Sequence, residues 1–255
     1  MTTRKHSALF RHIEAVHAGR PFGALLDAGT GVNSIRWIID LETERWTAVT
    51  GSAQHAAQVR DVAGARMRAE DRILTGNWAD PEFLEGETFD TVLADYLLGA
   101  VEGFAPYFQP YLFGRLRPLT RGTLYVTGLE PYVPARPRTK AGRIVWEIGR
   151  FRDACLLLSG DMPYREYPAR WVADQLKRAG FTIGSVRHFS ILYKERFVNT
   201  QIDMCAPRIA ALPDRTLAAA LTARGEALRS EALSVIAAEG ALRHGRDYVI
   251  AAVPG

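Results

Sequence analysis

The chain has 255 residues, of which 47% are hydrophobic and 24% are charged, a composition that excludes a disordered chain and suits one α/β domain with insertions over residues 1–255. Its 32 basic and 28 acidic residues leave a net charge of +4, a small excess that does not by itself indicate a nucleic acid partner. No apolar stretch approaches the length needed to span a bilayer, so we expect no membrane partner and a cytoplasmic protein.

The first half of the chain alternates short apolar runs with helical patterns. Residues 1–20 are predicted to contain an amphipathic helix, because Leu9, Ile13 and Val16 recur at helical spacing. Five apolar runs then follow, each next to a turn or a helical pattern, and strands are predicted there: Gly23–Leu26, Thr47–Val49, Ile73–Leu74, Phe89–Ala94 and Leu124–Thr127. This order predicts parallel βαβ units joined by right-handed crossovers.

Two segments of the second half interrupt this alternation. Residues 130–167 combine irregular periodicity with prolines and a basic, aromatic cluster, which we interpret as a lid-like insertion. A helix from Pro168 and a strand at Phe181–Phe189 come next. Residues 197–243 are predicted as a helical insertion before a terminal strand at Tyr248–Val253.

The two cysteines, Cys155 and Cys205, lack the spacing of a zinc site or a disulfide framework. We therefore expect reduced, partly buried thiols and no metal site.

The loop after the first predicted strand has the features of a ligand-binding turn. It reads Leu25-Leu26-Asp27-Ala28-Gly29-Thr30-Gly31-Val32-Asn33-Ser34. Without a Cβ, Gly29 and Gly31 can adopt positive φ and leave room for ligand atoms, while the following helix N-terminus offers free N–H groups to an anion. Asn33 stands where a third glycine is common, and asparagine tolerates the left-handed region.

These residues resemble the first motif of the class I methyltransferases, in which an apolar strand ends in an acid before Gly-x-Gly-x-Gly. A second stretch, Gly76–Phe83 followed by Gly86–Val92, resembles the family pattern Gly-Asp-x-x-x-x-Pro-Phe … Ser-Phe-Asp-x-Val. A third, Ala94-Asp95-Tyr96-Leu97, matches the place of the fourth motif. The resemblance implies a three-layer, Rossmann-like methyltransferase fold, with a seven-stranded, mostly parallel sheet, helices on both faces and a helical insertion near the C-terminus.

The resemblance also implies S-adenosylmethionine as cofactor. Its amino-acid part is expected near the glycine loop, its adenine near Asn77 and Trp78, and its methyl group near the fourth motif. The predicted cofactor-binding residues are Asp27, Gly29, Gly31, Asn33, Thr50, Gly51, Asn77, Trp78, Asp95 and Tyr96.

Two positions depart from the family pattern. Thr50 stands where an acid usually holds both ribose hydroxyls, and Asn77 replaces an aspartate, although its amide oxygen still accepts from an adenine N–H. These changes are consistent with weaker affinity, with a different acid such as Asp40 or Glu42 at the ribose, or with a lapsed cofactor site.

Methyl transfer from a sulfonium depends mainly on alignment of the acceptor, and a nearby base serves where the acceptor must lose a proton. Tyr96 and His188 are the candidate catalytic residues, although packing is the commoner role for an aromatic residue at a strand end and for a lone histidine on a strand. The expected substrate is a small molecule with an N or O acceptor. Four residues in the first insertion are predicted to bind it: Glu130, Tyr132, Trp146 and Tyr164.

Three alternatives stay open at this stage. An RNA methyltransferase shares the fold, but the Asp-Pro-Pro-aromatic run that binds a flipped adenine is missing at Asp95-Tyr96-Leu97-Leu98. In a nicotinamide-binding dehydrogenase, Gly29-x-Gly31 would be part of a Gly-x-Gly-x-x-Gly motif with Ser34 in the last place. A binding or scaffold protein would keep the fold without turnover. The leucine-rich helices after Phe197 suit intramolecular packing or a homodimer interface.

Overall fold

The computed structural model describes residues 6–255, so the part of the predicted N-terminal helix before His6 lies outside the described residues. The chain divides into two compact units. The first unit contains the chain up to Leu129 together with residues 166–189 and 247–255. The second unit contains residues 130–165 and 190–246.

Within residues 6–255, seven strands form one sheet. Their bounds are β1 Ala24–Asp27, β2 Arg45–Thr50, β3 Arg72–Thr75, β4 Phe89–Asp95, β5 Thr120–Leu129, β6 Phe181–Tyr193 and β7 Leu242–Pro254. The order across the sheet is β3-β2-β1-β4-β5-β7-β6. Strands β1 to β5 pair in parallel, whereas β7 pairs antiparallel with β5. The mostly parallel, seven-stranded sheet that the sequence predicts is confirmed.

The helices occupy the crossovers between strands and the region after β6. Their bounds are α1 Ala8–His17, α2 Val32–Ile38, α3 Ala53–Ala63, α4 Leu97–Ala100, α5 Gln109–Leu116, α6 Lys140–Leu158, α7 Ala169–Arg178, α8 Glu195–Asp203, α9 Ala206–Ala211 and α10 Arg215–Glu239. Several begin at the polar caps that favour helix starts: Ser7 before α1, Ser52 before α3 and Asp214 before α10 each accept a backbone N–H.

The first unit has a separate apolar core on each face of the sheet. Successive strand residues point to opposite faces, so Leu25 joins a cluster with α1, α2 and α3, while Leu26 joins another with α4, α5 and α7. Both leucines are fully buried. A strand buried on both sides reads as an uninterrupted apolar run, which is the pattern that marks β1 in the sequence.

The second unit consists largely of α6, α8, α9 and α10. The predicted helical insertion of residues 197–243 is divided among three helices, because Pro207 lies in the first turn of α9 and Pro213 precedes the cap of α10. The two cysteines of this unit are free and fully buried, not partly buried as expected.

The terminal strand begins earlier than the sequence predicts. Tyr248–Val253 forms its apolar part, but β7 starts at Leu242, because polar residues such as Arg246 and Asp247 can pair in a sheet without forming a hydrophobic run. No helix among residues 6–255 is long and apolar enough to cross a membrane.

Candidate functional site

Asp27 ends β1 with a carboxylate that the fold does not pair. The residue is fully buried, and neither carboxylate oxygen has a hydrogen-bond partner among the described residues. Burial raises the pKa of Asp27 to about 7, the nearby Asp95 charge adds to this, and the Ser34 and Thr30 hydroxyls oppose it. A buried, unpaired carboxylate is costly, so its presence at the edge of the sheet points to a cationic partner.

The turn after Asp27 does not use the positive φ that its glycines permit. Neither Gly29 nor Gly31 has a positive φ. At Gly29 a Cβ would come within 2.8 Å of the Leu97 side chain, so glycine is required there by packing. Gly31 has φ −138° and serves as the cap of α2, and a Cβ there would meet no atom within 4 Å. Gly31 therefore borders open space beside the helix N-terminus.

Asn33 does not adopt the left-handed backbone conformation that asparagine would tolerate in place of a third glycine. It lies in the first turn of α2 with helical backbone geometry. The left-handed residue of this region is Tyr96, with φ 48° and ψ 19°, immediately after β4. A non-glycine residue in this conformation is uncommon, and such backbone geometry is found often at functional sites.

The end of β4 is held by β5. The Thr127 hydroxyl donates to Asp95, and the Tyr96 amide donates to the same hydroxyl oxygen at 3.2 Å. Burial raises the pKa of Asp95 to about 6, the Thr127 hydrogen bond lowers it, and the Asp247 charge raises it further. The Asp95 carboxylate is thus fixed in position, with a pKa above the ordinary value of an aspartate.

A third carboxylate, Asp247, reaches the same edge from β7. Because β7 runs antiparallel, Asp247 pairs with Leu129 at the carboxyl end of β5. Burial raises the pKa of Asp247, and its interaction with the Tyr96 hydroxyl partly offsets this. Burial and the Asp247 charge raise the pKa of Tyr96, so the phenol stays protonated at neutral pH.

Asp95, Tyr96 and Asp247 open onto one cleft of the first unit, with a volume of about 430 Å³. Its lining combines apolar and polar side chains with these acids: His6, Ser7, Leu9, Phe10, Asn33 and Arg36 complete it. Of the predicted site residues, Asn33, Asp95 and Tyr96 are thereby brought together, with Asp27 close to Asp95.

The expected nucleoside end lies at the ends of β2 and β3. Thr50 is buried, and its hydroxyl oxygen accepts from the Ser52 amide at 3.3 Å. The ring of Phe104 packs directly on Gly51, where a Cβ would come within 2.5 Å of the ring. Asn77 is exposed, and its side-chain amide donates to the Phe104 carbonyl oxygen at 2.8 Å.

Trp78 is a core residue. Its side chain is buried between the elements of the first unit, and its indole N–H donates to the Ala28 carbonyl oxygen at 2.8 Å. The loop that carries Asn77 and Trp78 is also held by Arg115 of α5, which donates to the carbonyl oxygens of Trp78, Asp80 and Phe83. Trp78 therefore links this loop to the β1 turn, and its role in cofactor binding stays a prediction.

His188 does not line the cleft. It lies on β6, where its ring centroid is 6.3 Å from that of Tyr248 in an edge-to-face arrangement. The catalytic assignment of His188 stays a prediction.

The four predicted substrate residues belong to the second unit: Glu130, Tyr132, Trp146 and Tyr164. Tyr132 is buried there, and its hydroxyl accepts from Arg152 at 3.2 Å. Trp146 donates to the Val133 carbonyl oxygen at 2.8 Å and carries an arginine over its ring. These contacts are internal to the unit, and the substrate role of the four residues stays a prediction.

Comparison with known proteins gives the fold. No family model and no curated sequence matches the chain. A candidate methyltransferase from Bacillus halodurans superposes with a TM-score of 0.63 at 12% identity, covering 98% of this chain and 100% of that one. A mycolic acid cyclopropane synthase in complex with S-adenosylhomocysteine and CTAB gives 0.53 at 16% identity, covering 94% and 83%.

A methyltransferase from Geobacter sulfurreducens in complex with S-adenosylhomocysteine gives a TM-score of 0.54 at 14% identity and covers 100% of this chain and 95% of its own. The chain has the class I methyltransferase fold. Identities this low show a shared fold only, so the function of this methyltransferase-fold protein has to be argued from its own residues.

Three residues of this methyltransferase-fold site were missed in the sequence. Asp247 precedes the apolar run of β7, and only the antiparallel direction of that strand brings it to the cleft. Phe104 and Arg115 lie in residues 104–115, an aromatic-rich stretch whose pattern is typical of packing. The one signal in the sequence was the position of Phe104 between Gly103 and Pro106, because these residues indicate a loop and binding residues are common on loops.

Proposed function

We propose that this chain binds S-adenosylmethionine at the carboxyl ends of β1, β2 and β4 and transfers its methyl group to an N or O atom of a small molecule. The observation that carries the proposal is Asp27, a buried carboxylate without a hydrogen-bond partner beside an open glycine turn. An ammonium group supplies the positive charge that such a carboxylate lacks. The residues of the turn therefore fit the amino-acid part of the cofactor.

The bound cofactor would supply an activated methyl group on sulfur, and the protein would supply position. Asp27 would hold the ammonium group, and Gly31 leaves room for close approach of the cofactor to the N-terminus of α2, whose amides favour a carboxylate. Thr127 fixes Asp95, which fixes the wall of the cleft where the acceptor would lie. Alignment of this kind contributes much of the rate of a bimolecular displacement.

Proton removal from the acceptor would fall to Asp247. A carboxylate with a raised pKa is a better base near neutral pH than an ordinary aspartate. Tyr96, predicted as catalytic, stays protonated and donates towards Asp247. We therefore assign to Tyr96 the role of orienting the Asp247 carboxylate. This arrangement favours an amine or hydroxyl acceptor small enough for the cleft.

A second candidate function is binding of the cofactor without turnover. It is favoured by the nucleoside end, where Thr50 offers no carboxylate to the ribose and Phe104 lies over Gly51. Binding together with the absence of methyl transfer to any amine or hydroxyl substrate, measured by mass spectrometry, would select this candidate.

The proposal is tested by calorimetric titration with S-adenosylhomocysteine. We expect the wild type to bind, and Gly31→Val to weaken binding at least about tenfold because its side chain would enter space reserved for the ligand. Gly114→Val is the matched control, since its Cβ also meets no atom within 4 Å. Gly29→Val is unsuitable because it would displace Leu97.

Two results would overturn the proposal. One is the lack of binding of both S-adenosylmethionine and S-adenosylhomocysteine to the wild type at millimolar concentration. The other is wild-type affinity in Gly31→Val, with both glycine variants folded by circular dichroism.

A further inference from the structure

Phe104, which is distant in sequence from β2 and β3, contacts the loops that follow both of these strands at the expected nucleoside site. The Phe104 ring lies so close to Gly51 that three ring atoms would be within 2.7 Å of a Cβ there. Its carbonyl oxygen accepts from Asn77 at 2.8 Å. Gly51 follows β2 and Asn77 follows β3, so Phe104 joins two loops that are neighbours at the carboxyl edge of the sheet.

The ring is only partly used by this packing. Phe104 remains 40% exposed, which is unusual for a phenylalanine that already makes close contacts. An exposed aromatic face fixed between two ligand loops is suited to stacking on a planar base, because every base has a π-face.

The segment that carries Phe104 is internally fixed. Glu102 is buried, and its carboxylate accepts from the Gln109 side chain at 2.5 Å and from the Tyr107 amide at 3.4 Å. The Phe104 amide donates to the Val101 carbonyl oxygen at 3.0 Å. The ring is thus presented on a closed turn rather than on a free loop.

We propose that Phe104 forms the aromatic face on which the purine of the cofactor stacks, an assignment that rests on the proposed function. It deepens that function by naming the residue that recognises the base. The base would contact the exposed side of the ring, while the Asn77 amide oxygen, which accepts from the Ala79 amide at 3.0 Å, keeps a lone pair for an adenine N–H.

This assignment explains why two residues at this end have the identities they do. Residue 51 is glycine because the Phe104 ring occupies the space of its side chain. Residue 77 is asparagine because the Phe104 carbonyl oxygen requires a donor, which an aspartate carboxylate cannot provide.

Calorimetry with S-adenosylhomocysteine and with adenosine tests the assignment. We expect Phe104→Ala to weaken binding of both ligands about tenfold or more, in line with the contribution of a base–aromatic stack. Phe104→Tyr keeps the ring and should bind within about threefold of the wild type. Tyr111→Ala removes another exposed ring, 67% exposed on α5, and should leave affinity unchanged.

The Asn77→Asp variant distinguishes this assignment from the alternative that the aspartate of the family pattern binds the cofactor better. Although it restores the aspartate of the family pattern, we expect weaker binding, because the new carboxylate faces the Phe104 carbonyl oxygen.

Unchanged or tighter binding by Phe104→Ala would overturn the assignment and show that the ring only packs or blocks the site. Tighter binding by Asn77→Asp would also overturn it. A wild type that binds no S-adenosylhomocysteine would instead refute the proposed function, so the two failures are distinguishable.

Discussion

At the scale of single residues, Asp27 couples the site to pH. Its folded-state pKa of about 7 lies above the ordinary value because burial disfavours the charged form. Without a ligand, ionisation of Asp27 therefore lowers the stability of the fold as the pH rises above the unfolded-state pKa. A bound cation would reverse this preference and would lower the pKa.

We predict that affinity for S-adenosylhomocysteine rises with pH up to about 7 and then becomes constant. Below that pH the ligand must displace a proton from Asp27, whereas above it the carboxylate is already charged. Titrations at several pH values between about 5.5 and 8.5, in buffers of different ionisation enthalpy, would show proton release at the lower values only.

Asp27→Asn is the informative variant here. It should bind weakly at every pH, and the slope of affinity with pH should decrease. An unchanged slope would assign the titration to another group, with Asp95 the next candidate because its pKa is about 6.

At the scale of elements, the loop after β3 depends on a side chain from α5. Arg115 donates to three carbonyl oxygens of residues 78–83 at 3.0 to 3.4 Å. We predict that Arg115→Ala weakens S-adenosylhomocysteine binding several-fold and lowers stability by about 1 to 2 kcal/mol, because several hydrogen bonds are lost. Titration calorimetry and thermal unfolding would measure both effects.

Arg117→Ala provides the matched control. Arg117 follows the same helix and also donates to main-chain carbonyl oxygens, those of Gly180 and Gly255. It should lose comparable stability without loss of affinity. Equal affinities in the two variants would show that the order of the loop after β3 does not matter for binding.

The sequence was informative where local pattern and topology agree. The uninterrupted apolar runs of β1 and β4 predict buried parallel strands, and their ends place Asp27 and Asp95 at one edge. Prediction from the sequence failed where the geometry depends on packing against residues distant in the chain. Residue 29 must be glycine because the Leu97 side chain occupies the space of a Cβ, and residue 51 must be glycine because the Phe104 ring does so. Trp78 has an apolar side chain suited either to a ligand or to the core, and only the fold distinguishes these.

At the scale of the whole molecule, many basic side chains are neutralised locally by ion pairs. Many arginines pair with carboxylates of the same unit: Arg68 with Asp71, Arg121 with Asp90, Arg152 with Asp153 and Arg229 with Asp203. A paired guanidinium contributes little to a long-range positive field. These pairs leave the net charge of +4 unchanged, but the paired arginines offer little attraction to a polyanion.

We predict that the protein does not shift transfer RNA or single-stranded RNA in gels at about 150 mM salt. A shift that weakens steeply as salt increases would contradict this and would revive an RNA acceptor, because that dependence is the signature of phosphate contacts. A shift that does not change with salt would point to aggregation.

The place of β7 between β5 and β6 has a consequence for synthesis on the ribosome. Strand β7 is made after β6 but lies between β5 and β6. A nascent chain that has not reached Leu242 holds β5 and β6 without their shared neighbour and lacks Asp247 altogether. The cleft that Asp247 lines is therefore among the last features to form, and partial translation products are expected to need protection from aggregation at these exposed strand edges.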